Sequence, residues 1–103
     1  MINAVNKYHK TVFEENFASI NVMRPSVLGN PFSIGKHGTR EEVVSKYEVW
    51  LRDKIFTKDK QVCEALNRIW VQVKTGKTVY LECCCFPKLC HADVIVKIIQ
   101  ERL

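Results

Sequence analysis

One segment of thirteen residues, 81–93, carries most of the side chains in this sequence that could bind a metal or act as a nucleophile. It reads LECCCFPKLCHAD and holds four of the chain's five cysteines, followed by a histidine and an aspartate. Such a set suits three kinds of chemistry: metal coordination, thiol redox exchange, and nucleophilic or acid–base catalysis. The cysteines could also be small apolar residues of a buried strand, because free cysteine is among the most buried residue types.

Cys90 is the predicted reactive thiol of this segment. It falls at or just before the start of a predicted helix, where unpaired N–H groups and the helix dipole favour negative charge and lower the pKa of a thiol. His91 and Asp93 lie in the first turn, where they could orient each other or act as general acid–base groups. Cys90, His91 and Asp93 are therefore the candidate catalytic residues, with Cys90 as a nucleophile or as a hydrogen-bond partner at the helix start.

Zinc binding is an alternative interpretation that the cysteine spacing disfavours. Structural zinc sites usually take their ligands from two separated C-x2-C pairs, whereas the residues available here come from one short segment: Cys83, Cys85, Cys90 and His91. A C-x-x-C redox motif is also missing, since the cysteines of the strand are adjacent or one residue apart. We therefore predict no metal and no other cofactor. Cys84 would face away from Cys83 and Cys85 on an extended strand and is predicted to be a core residue.

A second stretch that could bind a ligand is RPSVLGNPFSIGKHG, residues 24–38. It holds three of the four glycines and two of the three prolines, so it must be a loop. Gly29 permits a positive φ, and Asn30, which precedes a proline, is held extended. Such a rigid loop can aim the side chains of Arg24, Ser26 and Asn30 at a ligand. The fork of Arg24 suits phosphate or carboxylate, and Arg40 opens the following helix, close to an anion site.

The same loop has a plainer interpretation, which the sequence leaves open. It contains neither a P-loop nor a G-x-G-x-x-G motif. A structural turn with a surface arginine would have the same composition. The predicted ligand-binding residues of the loop and of the helix after it are accordingly Arg24, Ser26, Gly29, Asn30 and Arg40.

Three helices and three strands are predicted around these two loops. The residues T-R-E-E, 39–42, form a capping box, and apolar residues at helical spacing continue to Ile55. A second helix begins near Asp59 and stops at Gly76, and a third begins near Cys90. The predicted strands are NAVNKYHK, ASINVMR and TVYLECC. The last of these is almost uncharged, so it is predicted to be buried on both faces as a central or parallel strand.

The order strand, strand, helix, helix, strand, helix predicts one α/β domain over residues 1–103. Its short sheet would have about three helices packed on it, in a Rossmann-like layering. Ligands usually bind in loops that leave the carboxyl ends of such strands. Both loops run from a strand into a helix, so we predict that they form one cleft in which their polar residues meet.

Composition restricts the class of protein and the kind of partner. Apolar residues make up 47% of the chain and charged residues 26%, as in ordinary soluble proteins. No segment is apolar for long enough to cross a bilayer, and the N-terminus has no apolar signal core, so we predict a cytoplasmic protein with reduced cysteines. The net charge of +5 permits an anionic partner without naming one. Because the basic residues are spread out, a solvated surface is favoured over dedicated nucleic-acid binding.

Three stretches taken together, RPSVLGNPF, GTREEVVSKYEVWL and CCCFPKLCHADVI, resemble a family of small phage and bacterial proteins catalogued only as a domain of unknown function. The family's pattern is G-N-P-F, then G-T-R-E-E-V-I-x-x-Y, then C-x-C-x-P-x-x-C-H-G-D. Ala92 stands where the family usually has glycine, and Cys84 replaces a residue that is usually aromatic. The resemblance implies an α/β domain in a phage or prophage setting, and hence the cytoplasm of a bacterial host. It implies no established activity.

The function that combines these features is a pocket for a small anionic ligand, a nucleotide or another phosphorylated metabolite. Whether the protein is an enzyme stays open, and hydrolysis is one activity that the candidate residues would allow. Two alternatives also stay open: a phage factor without enzymatic activity that binds a host protein, and a zinc-stabilised module. No membrane partner is predicted, whereas nucleic acid or a host protein remains an open partner, and the oligomeric state is not predicted.

Overall fold

Three strands and three helices make up the part of the chain that the structure, a computed structural model, describes: residues 2–6, 16–83 and 88–103. In chain order they are β1 (Ile2–Asn6), β2 (Phe17–Asn21), α1 (Arg40–Phe56), α2 (Lys60–Lys74), β3 (Thr78–Cys83) and α3 (His91–Glu101). This is the predicted order of elements, and it gives a small α/β domain. The predicted first strand extended beyond β1 into residues 7–10, and the third included Cys84; both of these extensions lie outside the described residues.

The sheet is parallel throughout, with the strand order β1-β3-β2. Ile2 pairs with Val79 on one side of the central strand, and Ile20 pairs with Leu81 on the other. Val79 and Leu81 on one face are fully buried, and Tyr80 on the other face is also buried, as in parallel strands that are covered on both faces. The prediction that this apolar strand is central is therefore confirmed. Since the strands are parallel, their carboxyl ends all lie at one edge of the sheet.

Helix α1 begins where the capping box predicts. The backbone N–H of Glu42 donates to Oγ1 of Thr39, and the backbone N–H of Thr39 donates to the Glu42 carboxylate. These two bonds satisfy N–H groups that have no partner inside the helix. The buried face of the helix consists of Val43, Val44, Tyr47 and Leu51. The start of α1 is thus fixed by its own sequence, and its apolar stripe turns Tyr47 into the core.

Helices α2 and α3 are also delimited by local signals. Oδ1 of Asp59 accepts from the backbone N–H of Val62 at the start of α2, and Gly76 takes a φ of 95° just after its end. At the start of α3, Asp93 accepts from the backbone N–H of Cys90. The apolar faces of both helices pack into one core with the sheet. No helix in the described part of the chain is long and apolar enough to span a membrane.

Candidate functional site

A cleft of about 480 Å³ lies at the carboxyl edge of the sheet. Its walls come from the loop after β2 and from the starts of α1 and α3: Met23, Arg24, Asn30, Phe32, Ser33, Ile34, Arg40, Val43, Val44, Leu89, Cys90 and His91. The predicted meeting of the two loops in one cleft is therefore confirmed. The volume falls in the range of small-molecule sites, about 300–1,000 Å³.

The loop after β2 is held against α1 by three polar contacts, one of which joins Nζ of Lys46 to the carbonyl of His37 over 2.6 Å. The hydroxyl of Tyr47 donates to the carbonyl of Leu28 over 2.6 Å. Nδ2 of Asn30 donates to the carbonyl of Val43 over 3.3 Å, while its Oδ1 accepts from the backbone N–H of Phe32 over 2.9 Å. Asn30 therefore lines the cleft, as predicted, but both ends of its amide already hold the loop in shape. Its first role is to position the loop.

Gly29 is required here for a reason other than the predicted one. Its φ is not positive, so the left-handed conformation that a glycine permits is not used here. A Cβ atom at this position would lie 2.8 Å from the backbone nitrogen of Arg24 and 2.9 Å from its Cα. Two backbone bonds close the turn: Ser26 N–H to Met23 O and Gly29 N–H to Ser26 O, both over 2.8 Å. Gly29 thus allows the turn to fold back on Arg24.

Ser26 lies away from the cleft. Its Oγ accepts from the backbone N–H of Leu28 over 3.3 Å, and the residue lines a different cavity of about 270 Å³ beside α2. The hydroxyl is used within the turn itself, whereas Arg24 and Asn30 line the cleft. The prediction that Ser26 joins Arg24 and Asn30 in one site is therefore wrong.

Two arginines reach the cleft from different elements. Nη1 of Arg24 donates to Oγ of Ser33 over 3.1 Å, and Nη1 of Arg40 donates to the carbonyl of Leu89 over 3.1 Å. Each guanidinium has five N–H groups, so one such bond orients the group and leaves donors for a ligand. Arg40 is the first residue of α1, where the helix dipole also favours an anion. The described residues that line the cleft include no carboxylate.

His91 is the titratable group of the cleft whose protonation the structure indicates most directly. Its Nε2 lies 2.6 Å from the carbonyl of Val22, and because a carbonyl can only accept, Nε2 carries the proton. The ring packs edge-on against Tyr47, with centroids 5.1 Å apart. Burial lowers the pKa of His91, and nearby Arg24 adds to this, against the opposing effects of the Val22 carbonyl and Asp93. The imidazole is thus neutral, and Nδ1 is its basic nitrogen.

The lowered pKa of His91 predicts a loss of stability in mild acid. Below the ordinary value of 6.5 the unfolded chain takes up a proton at His91, while the folded chain does not until its lower pKa is reached. The unfolded state then binds more protons, so the free energy of unfolding falls as the pH falls through this window. Urea unfolding between about pH 8 and pH 5 should show a smaller fall in His91→Gln than in the wild type. Equal pH dependence in the two proteins would contradict a depressed pKa.

Cys90 lies in the cleft wall, but its thiol is not the activated group that the helix start predicts. The residue is 3% exposed, and its Sγ lies 3.2 Å from Sγ of Cys83. The hydrogen bond with Cys83 raises the pKa of Cys90, and burial raises it further, while a backbone bond from Ala92 is the only opposing effect. The predicted lowering is wrong because these effects outweigh the N–H groups and dipole of α3. The raised pKa argues against Cys90 as a catalytic nucleophile at neutral pH.

Asp93 has a structural role that explains its position. Its Oδ2 accepts from the backbone N–H of Cys90 over 3.0 Å, which caps α3. Asp93 does not line the cleft, so of the three candidate catalytic residues only Cys90 and His91 reach it. The carboxylate still acts on His91 electrostatically, since it raises the pKa of that imidazole.

The four residues that zinc would need do not form a described cluster. Over residues 2–6, 16–83 and 88–103, no group of three or more histidine, cysteine or acidic side chains could hold a metal ion. Cys83 and Cys90 are in contact, but Cys85 lies outside the described residues. His91 is turned to the carbonyl of Val22 instead.

Several residues of the cleft were not predicted from the sequence, because their side chains have no reactive or charged group. Phe32 and Ile34 follow Asn30 in the loop, and Leu89 precedes Cys90; all three present apolar surface to the cavity. The ring of Tyr47 packs against His91, and its hydroxyl donates to the carbonyl of Leu28, so Tyr47 positions both of these residues. Of these four residues, Phe32 and Tyr47 stand out in the sequence, because they fill fixed positions of the family pattern quoted above, whereas Leu89 fills a variable one. The cleft is therefore more apolar than its predicted polar set suggests.

Comparison with known proteins covers almost the whole chain with one match. A family model described as "Domain of unknown function (DUF4326)" matches residues 5–101. The match begins within β1 and ends at the last residue of α3, so it includes every residue of the cleft. No curated protein and no solved structure shows significant similarity to the chain.

Proposed function

The chain belongs to this family of domains of unknown function, whose description assigns no activity, and we propose from the cleft itself that the protein binds a small phosphorylated ligand, such as a nucleotide. One observation carries the proposal: Arg24 and Arg40, from separate elements, line a single cleft beside the neutral His91. A phage or prophage setting is part of the proposal. It is supported by the resemblance of the three sequence motifs.

The charge of the cleft favours an anion. Its described lining has two guanidinium groups and no carboxylate, and a guanidinium matches phosphate with two parallel N–H donors. The N-termini of α1 and α3 both open at the cleft, where Arg40 and Cys90 lie. The dipoles of the two helices add partial positive charge there. A phosphate is therefore the group that the polar side of the cleft fits best.

The rest of the lining favours a ligand with an apolar or aromatic part. The apolar share of the walls comes from Met23, Phe32, Ile34, Val43, Val44 and Leu89. Ligand sites commonly combine such walls with a few polar groups that fix orientation. A nucleobase next to a phosphate meets both requirements, and a volume of about 480 Å³ suits a mononucleotide better than a polymer. Free inorganic phosphate would leave the apolar walls uncovered.

Hydrolysis is the reaction that this arrangement would support. The neutral imidazole of His91 could accept a proton from an attacking water, while Arg24 and Arg40 would stabilise charge on the phosphate. Cys90 is not needed for this step, and its raised pKa keeps it as a thiol. A hydrolytic enzyme would release phosphate from a nucleoside monophosphate, and His91→Gln would abolish that release while retaining binding.

Removal of both arginines is the test of the binding proposal. Thermal-shift screening of wild-type protein with AMP, GMP, CMP, UMP, ribose 5-phosphate and inorganic phosphate should identify a stabilising compound, whose Kd is then measured by calorimetry. Hydrogen bonds to charged groups contribute about 1.5–3 kcal/mol each. Each of Arg24→Ala and Arg40→Ala should therefore raise that Kd by about ten- to a hundredfold, and the double variant should bind more weakly still.

A matched control separates this effect from a change in overall charge. Arg68 and Arg102 are exposed and line other cavities. The double variant Arg68→Ala/Arg102→Ala removes the same two positive charges and should bind like the wild type. Equal losses in the two double variants would mean that the ligand responds to net charge only. If no phosphorylated compound raises Tm, the proposal fails.

The alternative of a non-enzymatic factor that binds a host protein is favoured by one different observation. Val49 and Phe56 on α1 are 71% and 86% exposed and lie seven residues apart, which places them on the same face of the helix. Exposed apolar side chains of this kind are common at protein interfaces. This second candidate predicts that Val49 and Phe56, rather than Arg24 and Arg40, are needed for function.

A further inference from the structure

Two cysteines that lie seven positions apart in the sequence meet at the carboxyl edge of the sheet. Cys83 is the last residue of β3, and Cys90 is the residue that precedes α3. Their Sγ atoms are 3.2 Å apart, and the residues are 1% and 3% exposed. The spacing of the pair, C-x6-C, gives no signal in the sequence, because it is not the C-x-x-C motif of thiol redox sites. The fold creates the pair by placing the end of β3 beside the start of α3.

We propose that Cys83 and Cys90 are a site of reversible oxidation. The two residues form one intramolecular disulfide when a low-molecular-weight disulfide enters the cleft. The inference is independent of the phosphorylated ligand. A disulfide bond is about 2.05 Å long, so the two sulfurs need to approach by only about 1.2 Å from their present separation of 3.2 Å. Both are thiols in this structure, and the resulting ring would enclose the six residues between them.

The cleft determines which sulfur reacts first. Cys90 is among the described residues that line it, whereas Cys83 is not. The Cys90 thiol loses a proton and attacks the small disulfide, which gives a mixed disulfide and releases one small thiol. Cys83 then loses its proton and attacks the sulfur of Cys90, which releases the second small thiol. Two protein thiols are oxidised, and one small disulfide is reduced to two small thiols. The protons that leave Cys83 and Cys90 are taken up by these two small thiols.

The raised pKa of Cys90 limits the rate of this reaction at neutral pH. The thiolate is the reacting form, so the pair should oxidise slowly at neutral pH and faster as the pH rises. The disulfide would join the end of β3 to the start of α3. Because His91 follows Cys90 directly and reaches across to the carbonyl of Val22, this bond would restrain the part of the cleft that carries the imidazole.

Oxidation of the wild-type protein with 2-hydroxyethyl disulfide tests the proposal. Intact-mass measurement should show the loss of two hydrogens and no retained adduct from the reagent. Trypsin cuts after Lys77, Lys88 and Lys97, so the new bond should link peptide 78–88 to peptide 89–97. Fragmentation between positions 83 and 84 then identifies Cys83 as the partner of Cys90. Dithiothreitol should restore both thiols.

Variants extend the test to each cysteine. Cys63→Ser, which changes the half-buried cysteine of α2, should still lose two hydrogens, and so should Cys84→Ser and Cys85→Ser. Cys83→Ser should instead retain the mixed disulfide at Cys90. If a variant at Cys83 does not fold, the wild-type peptide map still decides the question. A link from Cys90 to Cys84 or Cys85, or adducts on separate cysteines without any link, would overturn the proposal.

Discussion

Replacement of Tyr47 by alanine is expected to lower the free energy of unfolding by about 3–5 kcal/mol, as for other large aromatic residues in cores. Tyr47 is fully buried, and its ring contacts Trp50 and His91, with centroids 5.6 Å and 5.1 Å away. Truncation would leave a cavity between α1 and α3 under the floor of the cleft. Urea unfolding monitored by tryptophan fluorescence measures the loss, and Trp50 is a suitable reporter because it lies against the tyrosine.

Tyr47→Phe isolates the hydroxyl from the ring. The hydroxyl donates to the carbonyl of Leu28 over 2.6 Å, and loss of one partner from a buried hydrogen bond costs about 1–3 kcal/mol. Since Leu28 belongs to the loop that carries Arg24, ligand binding should weaken together with stability. Val49→Ala, on the exposed face of the same helix, should change stability by about 0.5 kcal/mol or less. A Tyr47→Phe protein as stable as the wild type would show that Leu28 is not held by this bond.

Gly29→Ala is expected to disturb the cleft more than the size of one added methyl group suggests. The added Cβ would lie 2.8 Å from the backbone nitrogen of Arg24, so the backbone must move, and overpacking of this kind costs about 1–3 kcal/mol. The movement would shift Arg24 itself, and we expect the Kd for the phosphorylated ligand to rise by about tenfold or more, the equivalent of losing one charged contact.

Ser26→Ala is the matched control for Gly29→Ala. It lies in the same turn but adds no atom near Arg24, and it removes only the bond from Leu28 N–H to Oγ. It should leave the Kd unchanged, because Ser26 does not line the cleft. Calorimetry on both variants makes the comparison, with urea unfolding to separate weakened binding from weakened folding. A Gly29→Ala protein that binds like the wild type would mean that the position of Arg24 does not matter to the ligand.

The elements could be predicted because the signals that delimit them are local. Thr39 and Glu42 satisfy each other's backbone across three residues, and Asp59 caps α2 within the same distance in sequence. The near absence of charge in TVYLECC predicted a central strand, because a charge buried on either face would be costly. The meeting of the two loops followed from this, since parallel strands bring their carboxyl ends to one edge.

The predictions that failed depend on contacts between distant parts of the chain. In the sequence, a glycine at position 29 could serve either a positive φ or the close approach of another part of the backbone. Only the position of the Arg24 backbone decides between these two roles. The start of α3 predicted an acidic thiol at Cys90, but a sequence cannot show that Cys83 lies 3.2 Å away. The apolar walls of the cleft were missed for the same reason, because residues such as Ile34 and Leu89 have no chemistry that draws attention to them.

The placement of β3 between β1 and β2 has a consequence for how the protein folds on the ribosome. Ile2 pairs with Val79 and Phe17 pairs with Thr78, whereas β1 and β2 are not neighbours in the sheet. Neither early strand has its native partner until Thr78–Cys83 has been synthesised. Helices α1 and α2, whose contacts are local, can form first, and the sheet must then close long loops at an entropic cost that slows folding. We therefore expect β1 and β2 to stay exposed during synthesis until β3 leaves the ribosome and joins them in a single late step.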